Sequence, residues 1–172
     1  MTVKTPTVVD YLLVGAGGGA EASSVNSGTG GGGAGEVLIK NGVFFTSSVY
    51  IIQVGTSSAG RDGGDSAIGD SIVALGGAAS KAWGNGVPYP TYTSGIKLYA
   101  SAAGSSGGSN NIQYYGGKGH PNRGHNGGDR YTVSGRRVSG GGGGYRSNGI
   151  TYSGSGTTYP NGGRGITLNK LW

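Results

Sequence analysis

The chain has no cysteine, five prolines, one methionine, two histidines and seven acidic residues among 172. Each shortage removes a class of protein. Without cysteine there is no disulfide framework and no thiolate metal site. With so few prolines, and with glycine not recurring at every third position, a collagen triple helix is excluded. No apolar run approaches the roughly 18 residues of a membrane span. The N-terminus, MTVKTPTVVDYLL, lacks the basic start, long apolar centre and small-residue cleavage site of a signal peptide. These features predict a soluble chain, not conventionally secreted and without membrane insertion.

What is abundant is glycine, 42 residues, where ordinary usage of about 7% would give about a dozen. Full disorder does not follow, because VVDYLLV, EVLIK, VFF, VYIIQV, SIVAL and IKLYA are apolar segments able to build a core. Helix is nearly ruled out, since each interior glycine costs about 1 kcal/mol relative to alanine. The longest glycine-free stretches, 1–14 and 43–54, are rich in Val, Ile, Thr, Tyr and Phe, which are strand formers. Strands are predicted near 8–14, 36–40, 43–46, 49–54, 71–75, 96–101 and 165–171, with shorter pieces near 112–115, 131–133 and 150–152. Asn41-Gly42, between EVLIK and VFF, carries the signal of a type I′ hairpin turn.

Between these strands run long glycine-rich segments, 15–35, 55–70, 76–95, 102–130 and 135–164. Loops of this length are unusual inside a compact domain. One explanation is disordered linkers. The other is extended chains of polyproline-II type, packed side by side because they lack side chains and bonded through their backbones. Ordering glycine costs more entropy than ordering any other residue, so such a bundle needs a β scaffold to anchor it.

Known chemistry is hard to find. YLLVGAGGGA imitates the G-x-G-x-x-A dinucleotide fingerprint after a strand. The helix that must follow is replaced by EASSVNSGTGGGGAGE, and the next strand ends at Lys40 where an acid should hold a ribose. His120 and His125, in GHPNRGH, lack further metal ligands. Asp62, Asp65 and Asp70 could wrap a calcium ion, but the spacing matches no EF-hand and Arg61 opposes the charge, so a structural turn-rich loop is expected. No serine sits in a nucleophile elbow. The chain is expected to have no catalytic residues, no cofactor and no metal, and not to be an enzyme.

Charge and aromatic residues are uneven. Residues 1–86 hold four basic and six acidic side chains, whereas residues 87–172 hold nine basic and one acidic. Nine of the eleven tyrosines lie in the second half. Its stretches NNIQYYGGKGHPNRGHNGGDRY, SGRRVSGGGGGYRSNG and YSGSGTTYPNGG interleave Tyr, Arg, Asn, Ser and Gly. Antibody loops use a similar palette: Tyr supplies rigid contact area, and Ser, Gly and Asn adaptable hydrogen bonds. The same half also suits non-specific nucleic-acid binding through charge and stacking.

The order of motifs DYLLVGAGGGA, GGGGAGEVLIK, YIIQVG, GRDGGDSAIGDSIVALGGA and NGGRGITL resembles the glycine-rich domain family of bacteriophage virion proteins, especially tail-fibre and tail-tip proteins, over residues 9–170. Some phage tail-tip adhesins are similar, with stacked polyglycine-II segments. The glycine-rich region of certain animal receptor kinases is similar too, with a TNF-like β-sandwich. The resemblance implies an all-β fold: an antiparallel β-sandwich of jelly-roll or TNF-like type with long ordered glycine-rich loops. It also implies a short N-terminal arm over 1–8 and a single glycine-rich β domain over 9–172. It implies binding: a virion structural protein, assembled in the host cytoplasm, that recognises a host cell-surface glycan or outer-membrane protein. Other virion proteins and further copies of the chain, as a trimer, are the implied partners. The expected ligand-binding residues are Tyr114, Tyr115, Arg123, Tyr145, Arg146 and Tyr159. The alternative is a capsid or tail decoration protein with no host ligand.

Overall fold

The computed structural model describes residues 1–20, 29–80, 100–101, 115–129, 139–151 and 161–168. Among them there is no helix, and all strand pairing is antiparallel. The fold is all-β. Seven strands are formed: β1 (Thr2–Val3), β2 (Thr7–Val14), β3 (Val37–Phe45), β4 (Ser48–Val49), β5 (Ile52–Gln53), β6 (Ser66–Ile68) and β7 (Ile72–Ala74). They make three small sheets, β1-β4, β2-β3 and β5-β6-β7. None has the strand count of a jelly-roll layer, so the expected sandwich is not established by the described residues.

The β2-β3 ladder is the main scaffold. Val8 faces Phe44, Leu12 faces Ile39 and Leu13 faces Leu38. Opposed residues share a face and successive residues alternate. One face therefore carries Leu13 and Phe45, both buried; the other carries Val8, Val14 and Phe44, all exposed. Phe45 meets Tyr50 edge-on, with ring centroids 4.9 Å apart. The first residues are tied to this scaffold: β1 pairs with β4, and the amino group of Met1 donates to the Tyr50 carbonyl at 2.8 Å.

The Asn41-Gly42 hairpin turn is not formed. Both EVLIK and VFF pair with β2, so they must be collinear, and β3 runs straight through. Asn41 and Gly42 instead form a bulge opposite Asp10. Gly42 takes φ 68°, and its amide donates to Asp10 Oδ1 at 2.7 Å. Ser66–Ile68 is a strand that composition did not single out, completed by its tight turn into β7 at Gly69, φ 59°. Residues 100–101, 115, 150–151 and 165–168 are described but not in strands; the rest of the expected strands at 96–101, 112–115, 131–133, 150–152 and 165–171 lies outside the described residues.

The described parts of the glycine segments run as chains with a hydrogen-bond period of three. From segment 15–20, Gly15 and Gly18 donate to the Glu36 and Gly33 carbonyls. Ala16 and Gly19 donate to Gly64 and Arg61, and the carbonyls of Ala16 and Gly19 accept from Gly77 and Ser80. One chain thus bonds three neighbours, returning to each after three residues. Segment 31–36 does the same: Gly33 and Glu36 donate to Ala78 and Leu75, and Gly31 and Ala34 to Gly140 and Gly143. A period of three is that of a polyproline-II-type helix, whose successive groups point about 120° apart. These bundle glycines are not needed for positive φ, which among described glycines occurs only at Gly42, Gly60 and Gly69. They are needed because a Cβ on Gly15, Gly35, Gly63, Gly77 or Gly142 would sit inside a neighbouring backbone carbonyl.

Side-chain oxygens extend the same ladder where carbonyls run out. Asp62 and Asp65 accept the Ala79 and Gly76 amides, each at 2.8 Å. Asn126 and Asp129 accept those of Gly119 and Gly116 at 3.0 and 2.8 Å. Asn148 and Thr151 accept those of Asn126 and Asp129, each at 3.0 Å. Each pair is spaced by three, matching the chain's own period.

Candidate functional site

Two grooves collect the described candidate contact residues. The first, of about 500 Å³, is lined by Val37 and Leu38 of β3, the 121–125 turn, Tyr145 and Arg146. Its floor is built from β3 outward. Glu36 is 4% exposed. Its Oε2 accepts the Leu75 amide at 2.9 Å, and its Oε1 meets Arg123 Nε at 2.7 Å. Arg123 Nη2 also donates to the Val73 carbonyl at 2.6 Å. A buried carboxylate demands such compensation, and one planar guanidinium supplies it while tying the turn to the scaffold. The turn is closed by the Gly124 amide on the His120 carbonyl at 3.1 Å, and is held to the bundle by the His120 amide on Ala100 and the His125 amide on Ser101 Oγ. Across the groove, the Arg146 amide donates to the Arg164 carbonyl at 2.8 Å and the Arg164 amide to Ser147 Oγ at 2.9 Å. Tyr145 and Arg146 therefore stand on fixed backbone. With Glu36 neutralised by Arg123, the exposed Arg146 gives this groove a positive character.

The second groove, of about 580 Å³, is lined by Tyr115, Lys118, Asn126, Asp129, Asn148 and Thr151 together with glycine backbone. Tyr115 is 67% exposed. Segments 124–129 and 145–151 contribute to both grooves, so the same pinned chains present two different surfaces.

Of the residues expected to contact a ligand, Arg123, Tyr145 and Arg146 come together in the first groove and Tyr115 lies in the second. Tyr114 and Tyr159 lie outside the described residues. Arg123 is held by Glu36 and Val73, so its first role is to fix the turn. Sequence reasoning passed over Glu36, Asn126 and Asn148. Of these only Asn126 carried a signal, in NGGD (126–129), which like DGGD (62–65) sets polar acceptors three apart in glycine. Asp62 and Asp65, considered above as calcium ligands, accept backbone amides, and among the described residues no group of three or more His, Asp or Glu side chains is placed to hold a metal.

Neither the curated proteins nor the solved structures contain a match to this chain. The profile of one family, described as the glycine-rich domain, matches residues 1–170. That span takes in every strand and all the described residues, and the chain belongs to the glycine-rich domain family.

Proposed function

We propose that this protein is a bacteriophage virion component that recognises a host surface, acting at a tail fibre or tail tip. The observation that carries the reading is the setting of Tyr145 and Arg146: an aromatic and a cation beside a groove, on backbone pinned by neighbouring glycine chains. Preorganised loops of Tyr, Arg, Asn and Ser suit binding, because little entropy is lost when a ligand is engaged. The ligand class is a host cell-surface glycan or outer-membrane protein. The polar side chains of the bundle serve as acceptors for backbone amides, which supports binding rather than catalysis.

Assembly into the particle uses the opposite character of surface. Val8 and Phe44 on β2-β3, and Val49, Ile51 and Val54 around β4 and β5, are exposed. Runs such as VFF and VYIIQV are patterned for burial on both faces, and large exposed apolar residues mark contact sites. The occupant is a second copy of the chain, a trimer being the arrangement the family resemblance suggests. The same apolar face favours the second reading, a decoration protein with no host ligand.

The experiment is adsorption of virions carrying Tyr145→Ala and Arg146→Ala together. A fall of about tenfold or more in adsorption rate is expected. Unchanged adsorption, with the protein located away from the host-facing tip in a particle reconstruction, would overturn recognition in favour of decoration.

A further inference from the structure

We propose that the second groove binds a neutral saccharide, with Tyr115 as the stacking platform and the side-chain amides of Asn126 and Asn148 as donors to sugar hydroxyls. The inference takes the recognition reading further by naming a ligand class, and the groove's own chemistry carries it.

The oxygens of both amides are already engaged. Asn126 Oδ1 accepts the Gly119 amide and Asn148 Oδ1 the Asn126 amide, each at 3.0 Å. An amide whose oxygen is held by a backbone N–H has a fixed orientation, so its NH₂ group is presented as two directed donors. Both residues are exposed and line the groove. An acceptor and a further donor stand beside them. Asp129 uses Oδ1 for the Gly116 amide at 2.8 Å and keeps its second oxygen. Thr151 accepts the Asp129 amide at 3.0 Å and keeps its hydroxyl hydrogen as a donor.

A sugar hydroxyl both donates and accepts, and therefore needs this mixture. Its ring has an apolar C–H face, which an exposed tyrosine ring can cover. A polyanion needs something else: a surface of cations only. Here the Asp129 carboxylate offsets Lys118, whereas the first groove, with Arg146 and a neutralised Glu36, has the positive balance. The two grooves thus divide by charge, and the second suits an uncharged ligand.

The test is a ¹⁵N spectrum of the full chain titrated with N-acetylglucosamine, galactose and maltotetraose at millimolar concentrations. At least one should shift the side-chain amides of Asn126 and Asn148 and the backbone amides of Gly117, Gly127 and Gly149. Tyr115→Ala should weaken binding about tenfold. Asn148→Asp is the sharper variant. It keeps an oxygen for the Asn126 amide, so the chain folds as before, but it removes the two donors of Asn148 and should weaken binding about tenfold. The proposal is overturned if none of the three sugars moves these amides. It is equally overturned if Asn148→Asp binds as the parent does, or if a single-stranded oligonucleotide moves the same amides at lower concentration than any sugar. Virion adsorption separates this failure from that of the broader reading: lost sugar binding with intact dependence on Tyr145 and Arg146 overturns only the groove assignment.

Discussion

The β2-β3 ladder and the glycine bundle solve one problem in opposite ways. In the ladder, backbone groups bond along one plane, and one of the two remaining faces is buried through Leu13 and Phe45. In the bundle, a chain such as 15–20 bonds three neighbours at once, and side chains are excluded from the space between. Each bond adds only about 0.5–1.5 kcal/mol net, and each glycine loses the most entropy on ordering. The bundle is therefore held by the number and regularity of its bonds, the ladder by apolar burial. The same substitution should act differently in the two regions.

The largest contrast is a single methyl group. Gly142 is buried, its carbonyl accepts the Gly163 amide, and a Cβ there would run into the Gly32 carbonyl. Two backbones must separate to admit it, which places Gly142→Ala at or above the upper end of overpacking costs, about 3 kcal/mol. Denaturant unfolding should show a large loss or no folded protein. Gly165→Ala, where a Cβ meets nothing within 4 Å, should unfold within about 0.5 kcal/mol of the parent. Equal effects at the two positions would mean that the bundle is not close-packed.

Next in size is the junction of the two regions. Arg123→Ala leaves Glu36 with only the Leu75 amide, and also frees the Val73 carbonyl. Removing one partner of a buried pair costs about 3–5 kcal/mol. With the arginine side chain 31% exposed, screening lowers the expected loss to about 2–3 kcal/mol. Arg123→Ala with Glu36→Gln together should recover part of it, because the uncompensated charge is gone. A double variant no better than the single would show that the turn, not the charge, carries the cost.

Smaller again is the side-chain ladder. Asp65→Ala leaves the buried Gly76 amide without its acceptor, a loss of about 1–3 kcal/mol. Asp65→Asn retains an oxygen at that place and should lose less than half as much. If the two variants match, the carboxylate charge rather than its geometry is what matters.

How far the sequence discloses this architecture depends on the region. The strands at 7–14 and 37–45 are legible because Val, Leu, Ile and Phe leave few alternatives once helix is excluded. The bulge at Asn41-Gly42 is not, since the same dipeptide suits a type I′ turn; only the pairing of both flanks with β2 decides it. The ordered bundle is legible as a possibility, because glycine composition permits close chains without naming which chains meet. Partner choice lies in the few non-glycine acceptors, such as Asp62, Asp65, Asn126 and Asp129, whose three-residue spacing has meaning only once a threefold chain is in hand. For the site, Tyr115, Tyr145, Arg146 and Arg123 could be singled out by residue type, and all four line grooves; the hold of a buried glutamate 87 positions away on Arg123 could not be read from it.

Gly42 sharpens the comparison from the scaffold side. It too is a glycine that resists substitution, but for the other reason. Nothing lies within 4 Å of its Cβ position, and its φ of 68° is the constraint. Gly42→Ala should therefore cost about 1–2 kcal/mol of backbone strain, well below Gly142→Ala. Gly42→Asn should recover part of this, since Asn tolerates the left-handed region. No such rescue is expected at Gly142.

The smallest effect on folding should come from the exposed apolar face, and there folding and assembly separate. Val54 is 75% exposed and Ile51 is 76% exposed, so Val54→Lys or Ile51→Lys removes little buried area and should change unfolding by no more than about 0.5 kcal/mol. Under the proposed self-association, however, a charge here is repeated in every copy and must be desolvated against its own image. Light scattering across a concentration series should find the parent in an assembly and the lysine variants as monomers. A parent that stays monomeric at every concentration would leave these residues without a partner of their own kind, and the asymmetry between a face built for assembly and grooves built for ligands would have to be abandoned.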